Sequence, residues 1–387
     1  MAALADDWLN GGFGLYVHWP FCEAKCPYCD FNSHVSRNIN QKQWLAAYLS
    51  ELKRSAHQTS DRILNTIFFG GGTPSLMDPE SVAAIIDTAR ALWRPANDME
   101  ITLEANPSSV EAGRFGAYRD AGVNRISMGI QALNDNDLRR LGRNHTVAEA
   151  RAAFDVARDC FNRVSFDLIY ARQHQSVGEW RAELSEALSM AVDHLSLYQL
   201  TIEDGTAFGD RYALGKLRGL PEEDSSADMY TATQEICEAN GLPAYEVSNH
   251  ARPGAESRHN LIYWRYGDYV GVGPGAHGRL TLGGHKFATE TYLSPNAWLN
   301  AVSKGTGEKK RFVLAKQDQA IEYLMMCIRL TDGLDIERFN ALSAVPLNES
   351  KIEELIGYGM VNVRGNQLSA TDKGRAVLNA VIRSLLE

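Results

Sequence analysis

Three cysteines near the start of the chain have a spacing that suits a metal centre. Cys22, Cys26 and Cys29 form a C-x-x-x-C-x-x-C pattern within the segment LYVHWPFCEAKCPYCDFN. Iron–sulfur clusters are usually held by four cysteine thiolates, and Phe31 stands where a fourth nearby thiolate would fit. The pattern therefore predicts a [4Fe-4S] cluster whose last iron is left for an outside ligand, so that bound cofactors would carry the chemistry.

Zinc is the main alternative for these thiols. Tetrahedral zinc accepts three cysteines and one histidine, and His18 or His34 could supply the histidine. Structural zinc motifs usually have a second pair of ligands after a longer span, and this sequence has none. The spacing favours the cluster. The other cysteines lie in apolar helical patterns and are interpreted as buried thiols; they are Cys160, Cys237 and Cys327.

The bulk properties predict a cytoplasmic protein. A chain of 387 residues can form a major domain and a smaller one. The first residues include Asp6 and Asp7 without a basic segment, which argues against a signal peptide, and no apolar run is long enough to span a bilayer. Unpaired cysteines suit a reducing compartment. A net charge of −9 argues against broad nucleic-acid binding, while peripheral membrane association and a homodimer are left open.

The first half of the chain alternates apolar strands with amphipathic helices, which is typical of parallel βαβ units. Six such units predict an α/β fold with a partial (β/α)6 barrel, and a doubly wound open sheet is the alternative. The predicted strands are 14–19, 66–69, 100–104, 125–130, 164–170 and 194–200. The predicted helices between them are 43–56, 79–93, 110–121, 147–158 and 177–190.

Polar motifs follow these strands, where a barrel places its active site. The second strand ends in GGGTPS (70–75), whose glycines let backbone N–H groups approach a ligand. No Gly-Lys-Ser/Thr follows, which excludes a P-loop. Later strand ends carry Glu104, Gln131 and Asp167, and Arg143 follows. Capping or ion pairing would explain each residue alone, but their convergence predicts a binding site with carboxylates for hydroxyl groups and an arginine for a carboxylate.

The motifs together resemble a known family over nearly the whole chain. HWPFCEAKCPYCDF, GGGTPS, LEANP, SMGIQALN and LRRLGRNH are similar to the coproporphyrinogen III dehydrogenase-like branch of the radical SAM superfamily. The resemblance implies that S-adenosylmethionine (SAM) binds the free iron and is cleaved to a 5′-deoxyadenosyl radical. It also implies a set of SAM-contacting residues, which are Tyr16, Tyr28, Gly71, Gly72, Thr73, Glu104, Gln131, Arg143 and Asp167.

Within this branch the chain resembles HemW-type heme chaperones more than the oxidase. The oxidase has a further cysteine where this chain has Phe31, and it has a longer N-terminal extension. HNLIYW (259–264) matches the H-N-x-x-Y-W motif of HemW-type proteins. The match implies that His259 is an axial heme ligand, with Tyr263 and Trp264 against the porphyrin. The alternative is that these side chains only pack.

Two further segments bear on the site. The glycines of YVGVGPGAHG (269–278) predict a close backbone approach that returns to the cofactor mouth, with His277 as a second heme candidate. After the fifth strand the family often reads Y-G-L-P-G-Q, where this chain has YARQHQ (170–175). Losing two glycines and a proline leaves the geometry of that loop open, and His174 is either an addition to the site or a solvated side chain.

The organisation is predicted as a barrel domain over 1–300, with a heme-motif extension over about 201–300, and a C-terminal HemN-like domain over 301–387. The basic segment 304–311 is interpreted as a connector. Helices at 317–330, 334–342 and 351–358, a strand at 361–364 and a helix at 372–386 predict a mostly helical, winged-helix-like module. From residue 317 onward ten Asp/Glu outnumber seven Lys/Arg, which argues against sequence-specific DNA binding by this module.

Two functions follow from the resemblance. In the first, the protein binds heme and transfers it to a heme-dependent respiratory protein, and it carries a [4Fe-4S] cluster and SAM. In the second, it is an oxygen-independent coproporphyrinogen III oxidase that uses the radical for oxidative decarboxylation. The missing fourth cysteine and the short N-terminal segment favour the chaperone.

Overall fold

A computed structural model of the chain describes residues 6–36 and 38–387. Its centre is a sheet of six parallel strands that lie side by side in chain order. A doubly wound sheet reverses its strand order at a switch point, whereas here every crossover moves in the same direction, as in a barrel. The six strands are β1 (Phe13–Trp19), β2 (Ile63–Gly71), β3 (Arg94–Ala105), β4 (Arg125–Gln131), β5 (Arg163–Tyr170) and β6 (His194–Gln199).

Helices connect these strands and cover the outside of the sheet. The strands are apolar on both faces, since β1 has six of its seven residues buried, as expected for a parallel sheet. The helices of six or more residues up to residue 213 are α1 (Gln41–Thr59), α2 (Pro79–Leu92), α3 (Phe115–Asp120), α4 (Asp135–Arg140), α5 (Val147–Cys160), α6 (Val177–Met190) and α7 (Ala207–Ala213). The predicted α/β fold with a six-stranded parallel core is confirmed.

Five further strands extend the sheet on either side of these six. Strand β8 pairs parallel to β1, β9 to β11 continue antiparallel from it, and β7 pairs antiparallel to β6. The strands are β7 (Asn249–Ala251), β8 (Asp268–Val272), β9 (His277–Leu282), β10 (His285–Thr291) and β11 (Glu308–Val313). The helices of this region are α8 (Glu223–Ala239), α9 (Arg258–Trp264) and α10 (Pro295–Val302).

The interpretation of 304–311 as a connector is wrong for its second half, because β11 belongs to the main sheet. This edge strand has no buried residue and a polar sequence, so its pattern does not differ from that of a loop. The predicted helix at 110–121 is interrupted: a four-residue helix at Ser109–Ala112 precedes α3.

The C-terminal residues form a second, smaller hydrophobic core around Leu324, Phe339 and Val381. Arg338 joins it to the N-terminal residues through Asp7, with an Nε–Oδ1 distance of 2.8 Å. The predicted domain boundary at residue 301 stays a prediction. The elements are α11 (Lys316–Cys327), β12 (Leu334–Asp335), α12 (Ile336–Leu342), α13 (Glu349–Gly357), β13 (Val361–Arg364), β14 (Gln367–Ala370), α14 (Asp372–Ala376) and α15 (Leu378–Leu386).

No helix in the described ranges combines the length and the apolarity needed to cross a membrane.

Candidate functional site

The carboxyl ends of the parallel strands surround a cavity that brings the cysteine loop and the strand-end motifs together. Cys22, Cys26 and Cys29 all line it. Eight of the nine predicted SAM-contacting residues line it as well; the ninth, Tyr16, lines a neighbouring cavity. Contact with SAM stays a prediction for each residue. The eight are Tyr28, Gly71, Gly72, Thr73, Glu104, Gln131, Arg143 and Asp167.

The glycine turn after β2 holds the start of the cysteine loop. Gly72 N–H donates to the Trp19 carbonyl at 2.7 Å, and Thr73 N–H donates to the Phe21 carbonyl at 2.8 Å. A Cβ on residue 72 would lie 2.6 Å from the Phe21 oxygen, so only glycine allows this approach. Gly71 has a φ of 110°, which also favours glycine. The turn therefore fixes the loop next to the strand ends.

A chain of polar contacts surrounds the thiols. Arg143 donates to the Cys26 sulfur at 3.4 Å and to the Asn106 side chain at 2.6 Å. Asn106 donates to the Thr73 hydroxyl at 3.2 Å, which in turn lies 3.5 Å from the Cys22 sulfur. Burial raises the pKa of the Cys22 and Cys29 thiols. Hydrogen bonds and a cation beside the sulfurs favour their thiolate forms, so these residues suit thiolates bound to iron.

Two half-buried acids face the same cavity. Glu104 accepts a hydrogen bond from Gly71 N–H at 3.2 Å. Burial, followed by the nearby charge of Asp167, raises the pKa of Glu104 to about 8. Burial also raises the pKa of Asp167 to about 6. Carboxyl groups held in this way fit a ligand that brings positive charge and hydroxyl donors, as the amino, sulfonium and ribose groups of SAM do.

His18, one of the two histidines considered for a zinc site, has its ring nitrogens engaged elsewhere. Both ring nitrogens of His18 are engaged, Nδ1 with the Tyr16 hydroxyl and Nε2 with the Asn32 carbonyl, each at 3.0 Å. Within residues 6–36 and 38–387, no group of three His, Cys, Asp or Glu side chains is arranged around a single metal ion. In a cluster each thiolate binds a different iron, so the three sulfurs need not meet at one point.

A second cavity of about 730 Å³ opens beside the first. The two share Phe31, Gly71 and Glu104 in their walls. Of the glycines predicted to return to the mouth, Gly275 lines this cavity. A Cβ on Gly273 would lie 2.2 Å from the His18 carbonyl oxygen, so the backbones approach each other closely there. The remaining walls of the second cavity combine aromatic rings from the barrel with side chains of α11; its lining includes Tyr16, Tyr263, Trp264, Tyr269, His277, Arg279, Glu322, Met325 and Met326.

His259 lies behind this wall and does not line either cavity. Its Nδ1 is 2.6 Å from the Thr66 hydroxyl, and its Nε2 is 2.7 Å from the Tyr263 hydroxyl. The ring stacks on Phe68 at a centroid distance of 5.0 Å, and burial lowers its pKa to about 3. With both nitrogens occupied, this arrangement counts against the prediction that His259 binds heme iron directly. Tyr263 and Trp264 do line the second cavity, and their contact with a porphyrin stays a prediction.

The sequence reasoning missed several residues of the two cavities. Asn106 lies within LEANP, and an amide next to the strand-end acid was an available signal. Arg279, Glu322 and the two methionines of α11 had no local signal, because they meet the barrel only through the return of the C-terminal domain.

Comparison with known proteins identifies the family. The Radical SAM superfamily profile matches residues 16–184, and the HemN C-terminal domain profile matches residues 314–377. Heme chaperone HemW of Escherichia coli (strain K12) is 36% identical over 96% of this chain and 97% of that protein. The chain belongs to the HemW family of radical SAM proteins. Radical S-adenosyl methionine domain-containing protein 1, mitochondrial, of Mus musculus is 38% identical over 96% of this chain and 87% of that protein.

A solved structure supports the fold. Coproporphyrinogen III oxidase (HemN) from Escherichia coli matches with a TM-score of 0.81 and 21% sequence identity, over 100% of this chain and 93% of that chain. At this identity the match carries the fold alone. The radical SAM family implies a [4Fe-4S] cluster and SAM, and the cavity residues described above fit both. When bound, the cluster supplies an electron and SAM supplies the 5′-deoxyadenosyl group.

Proposed function

We propose that this HemW-family protein is a heme chaperone that binds heme and transfers it to heme-dependent respiratory proteins. The observation that carries the proposal is the second cavity. Its volume of about 730 Å³ lies within the range of cofactor sites, and aromatic rings and methionines form much of its wall. Such a wall suits a flat apolar macrocycle. In this proposal the protein works in the cytoplasm, and its cluster and SAM occupy the first cavity.

The residues around the first cavity have assigned roles in the proposal. Cys22, Cys26 and Cys29 hold the cluster, and Arg143 balances the charge of the thiolates. Glu104 and Asp167 receive the polar groups of SAM. The two cavities share Gly71 and Glu104. A ligand that moves these residues in one cavity would therefore change ligand binding in the other.

Phe31 favours the chaperone over the oxidase. It is 57% exposed and lines both cavities. A phenyl ring at this point provides apolar surface between the two ligands, in the place where the oxidase has a cysteine. The oxygen-independent coproporphyrinogen III oxidase remains the second candidate, supported by the shared fold and by the resemblance of the cysteine loop.

A third cavity is larger, at about 880 Å³, but suits heme less well. It lies between α8 and the C-terminal domain. Four acidic side chains and two basic ones contribute to its wall, and the excess of negative charge disfavours the two propionates of heme. The acids are Glu235, Glu238, Glu256 and Asp372, and the bases are Lys373 and Arg375.

The test is anaerobic reconstitution of the cluster, followed by separate supply of heme and of coproporphyrinogen III. We expect stable heme binding, transfer of that heme to an apo-cytochrome of the respiratory chain, and no SAM-dependent decarboxylation. Cys26→Ser is the control for cluster loading, followed by iron and sulfide content. Release of CO₂ from coproporphyrinogen with turnover of SAM would replace the chaperone with the oxidase.

A further inference from the structure

We propose that the heme iron is held between His277 on β9 and the paired methionines Met325 and Met326 on α11, rather than by His259. The inference rests on the proposed heme-binding function and assigns the ligands of its site. All three side chains line the second cavity. A histidine and a methionine are an established pair of axial ligands to heme iron.

The histidines of the cavity wall differ in the availability of their ring nitrogens. His18 is 5% exposed and uses both nitrogens in hydrogen bonds to Tyr16 and Asn32. His277 is exposed, and within the described residues its ring makes no hydrogen bond. An iron ligand needs a free imidazole nitrogen, so His277 is the histidine of this wall that can bind without breaking an existing contact.

The strand β9 turns His277 into the cavity together with Arg279. Residues two apart on a strand point to the same face, and both side chains line the cavity. Pairing of Tyr269 with Arg279 places Gly271 opposite His277. A Cβ on Gly271 would lie 1.9 Å from the His277 carbonyl oxygen. Because residue 271 has no side chain, the backbone of β8 can approach the backbone of β9 at His277.

The helix α11 is held against the same strand, and both elements contribute to the wall of the cavity. Arg279 donates two hydrogen bonds to Glu322, from Nε at 3.0 Å and from Nη2 at 2.9 Å. The Tyr266 hydroxyl donates to the same carboxylate at 3.1 Å. Residues three and four apart share a helix face, so Met325 and Met326 follow Glu322 on the side that meets the barrel.

This ion pair therefore sets the relative position of the two kinds of ligand. His277 is two residues from Arg279 on the strand, and the methionines are one turn from Glu322 on the helix. Met325 is 45% exposed, which leaves its thioether free to adapt to a ligand. A neutral thioether is readily displaced from ferric iron by another ligand, which suits a protein that must release its heme.

The experiment compares ferric heme spectra of the full-length, cluster-loaded protein and its variants. For the native protein we expect a low-spin spectrum with the weak near-infrared absorption of a thioether bound to ferric iron. His277→Ala should abolish the low-spin form and weaken heme binding by about tenfold or more, and added imidazole should restore the low-spin form. Replacing Met325 and Met326 by Leu, singly and together, should remove the near-infrared absorption and leave imidazole ligation in place.

His285→Ala is the matched control, because His285 is exposed and begins the next strand of the same sheet; its spectrum should equal that of the native protein. An unchanged spectrum in His277→Ala would overturn the assignment while leaving the chaperone in place. Loss of the low-spin form in His259→Ala with rescue by imidazole would do the same. If the native protein takes up no heme, the proposed function and this inference fail together.

Discussion

Individual residues of this protein keep a backbone geometry that their side chains do not favour. Ala171 and His174 stand at the two positions where the family often has glycine, and their φ values are 57° and 64°. The sequence left the shape of this loop open. Arg172 between them holds it, with ion pairs to Asp137 at 3.0 Å and to Glu183 at 2.5 Å. The loop therefore keeps a glycine-like path without its glycines, and buried charge pairing compensates the strain.

Replacing His174 by Gly should relieve this strain. A non-glycine residue with positive φ costs on the order of 1 kcal/mol, and the His174 side chain is exposed, so little packing is lost. We expect His174→Gly to raise the free energy of unfolding by about 0.5–1 kcal/mol in urea denaturation. Ala152→Gly, at an exposed site inside α5, should lower it by about 1 kcal/mol. Equal signs for the two variants would contradict the strain argument.

The half-buried acid Glu104 predicts a pH dependence of stability. Its pKa is about 8 in the folded protein and 4.5 for a glutamate exposed to solvent, as in the unfolded chain. Between these values the folded state therefore binds more protons than the unfolded state. Stability of the ligand-free protein should then fall as the pH rises from about 5 to about 8. Each unit of difference in pKa between the folded and unfolded states corresponds to roughly 1.4 kcal/mol of unfolding free energy. Water in the cavity screens the charge of Glu104, so we expect the unfolding free energy to fall by about 1–3 kcal/mol.

Glu104→Gln removes this titration and keeps the shape of the side chain. Urea denaturation of the SAM-free variant at pH 6 and pH 8 should give nearly equal unfolding free energies, apart from the smaller contribution of Asp167. The native protein should be less stable at pH 8 than at pH 6. An identical pH dependence in both proteins would show that Glu104 does not titrate as described.

At the scale of elements, hydrophobic patterning predicted the six central strands β1 to β6, because these strands are buried on both faces and strongly apolar. The predicted bounds lie within three residues of the observed ones except at the start of β3, which begins at Arg94 rather than at residue 100. The patterning did not predict β8 to β10. Their glycine-rich connection, Gly271 to Gly278, resembles a loop in sequence. These positions need glycine because other parts of the chain approach closely. A Cβ on Gly275, for example, would lie 2.5 Å from the Asn32 side chain. Such constraints come from distant residues and leave no local periodicity.

His259 joins the helix α9 to the barrel. Its substitution is therefore predicted to lower the stability of the fold. His259→Ala would remove buried hydrogen bonds to Thr66 and Tyr263 and leave a cavity beside Phe68. We expect a loss of about 3 kcal/mol in the free energy of unfolding, measured by urea denaturation of the heme-free protein. His285→Ala, at an exposed site, should change it by less than about 0.5 kcal/mol. A heme-free His259→Ala protein as stable as the native one would contradict this role.

At the scale of the whole molecule, the second cavity exists because the C-terminal domain returns to the barrel. Tyr266, which follows α9, packs in the C-terminal core, and Lys286 of β10 lies 3.9 Å from its ring centroid. No single segment of the sequence supplies the walls of this cavity, since they come from β1, α9, β9 and α11. The first cavity could be predicted from strand-end motifs, whereas the second required the relative placement of two domains.

The ion pair between Arg279 and Glu322 should therefore control heme binding through domain placement. Arg279→Glu or Glu322→Arg alone places like charges together at a half-buried site, where their side chains are 22% and 24% exposed in the native pair. We expect each single variant to weaken heme binding by about tenfold, equivalent to about 1.4 kcal/mol. The double variant restores opposite charges and should recover most of the loss, as a double-mutant cycle would measure. Additive losses in the double variant would show that the pair does not position the heme site, whatever each residue contributes alone.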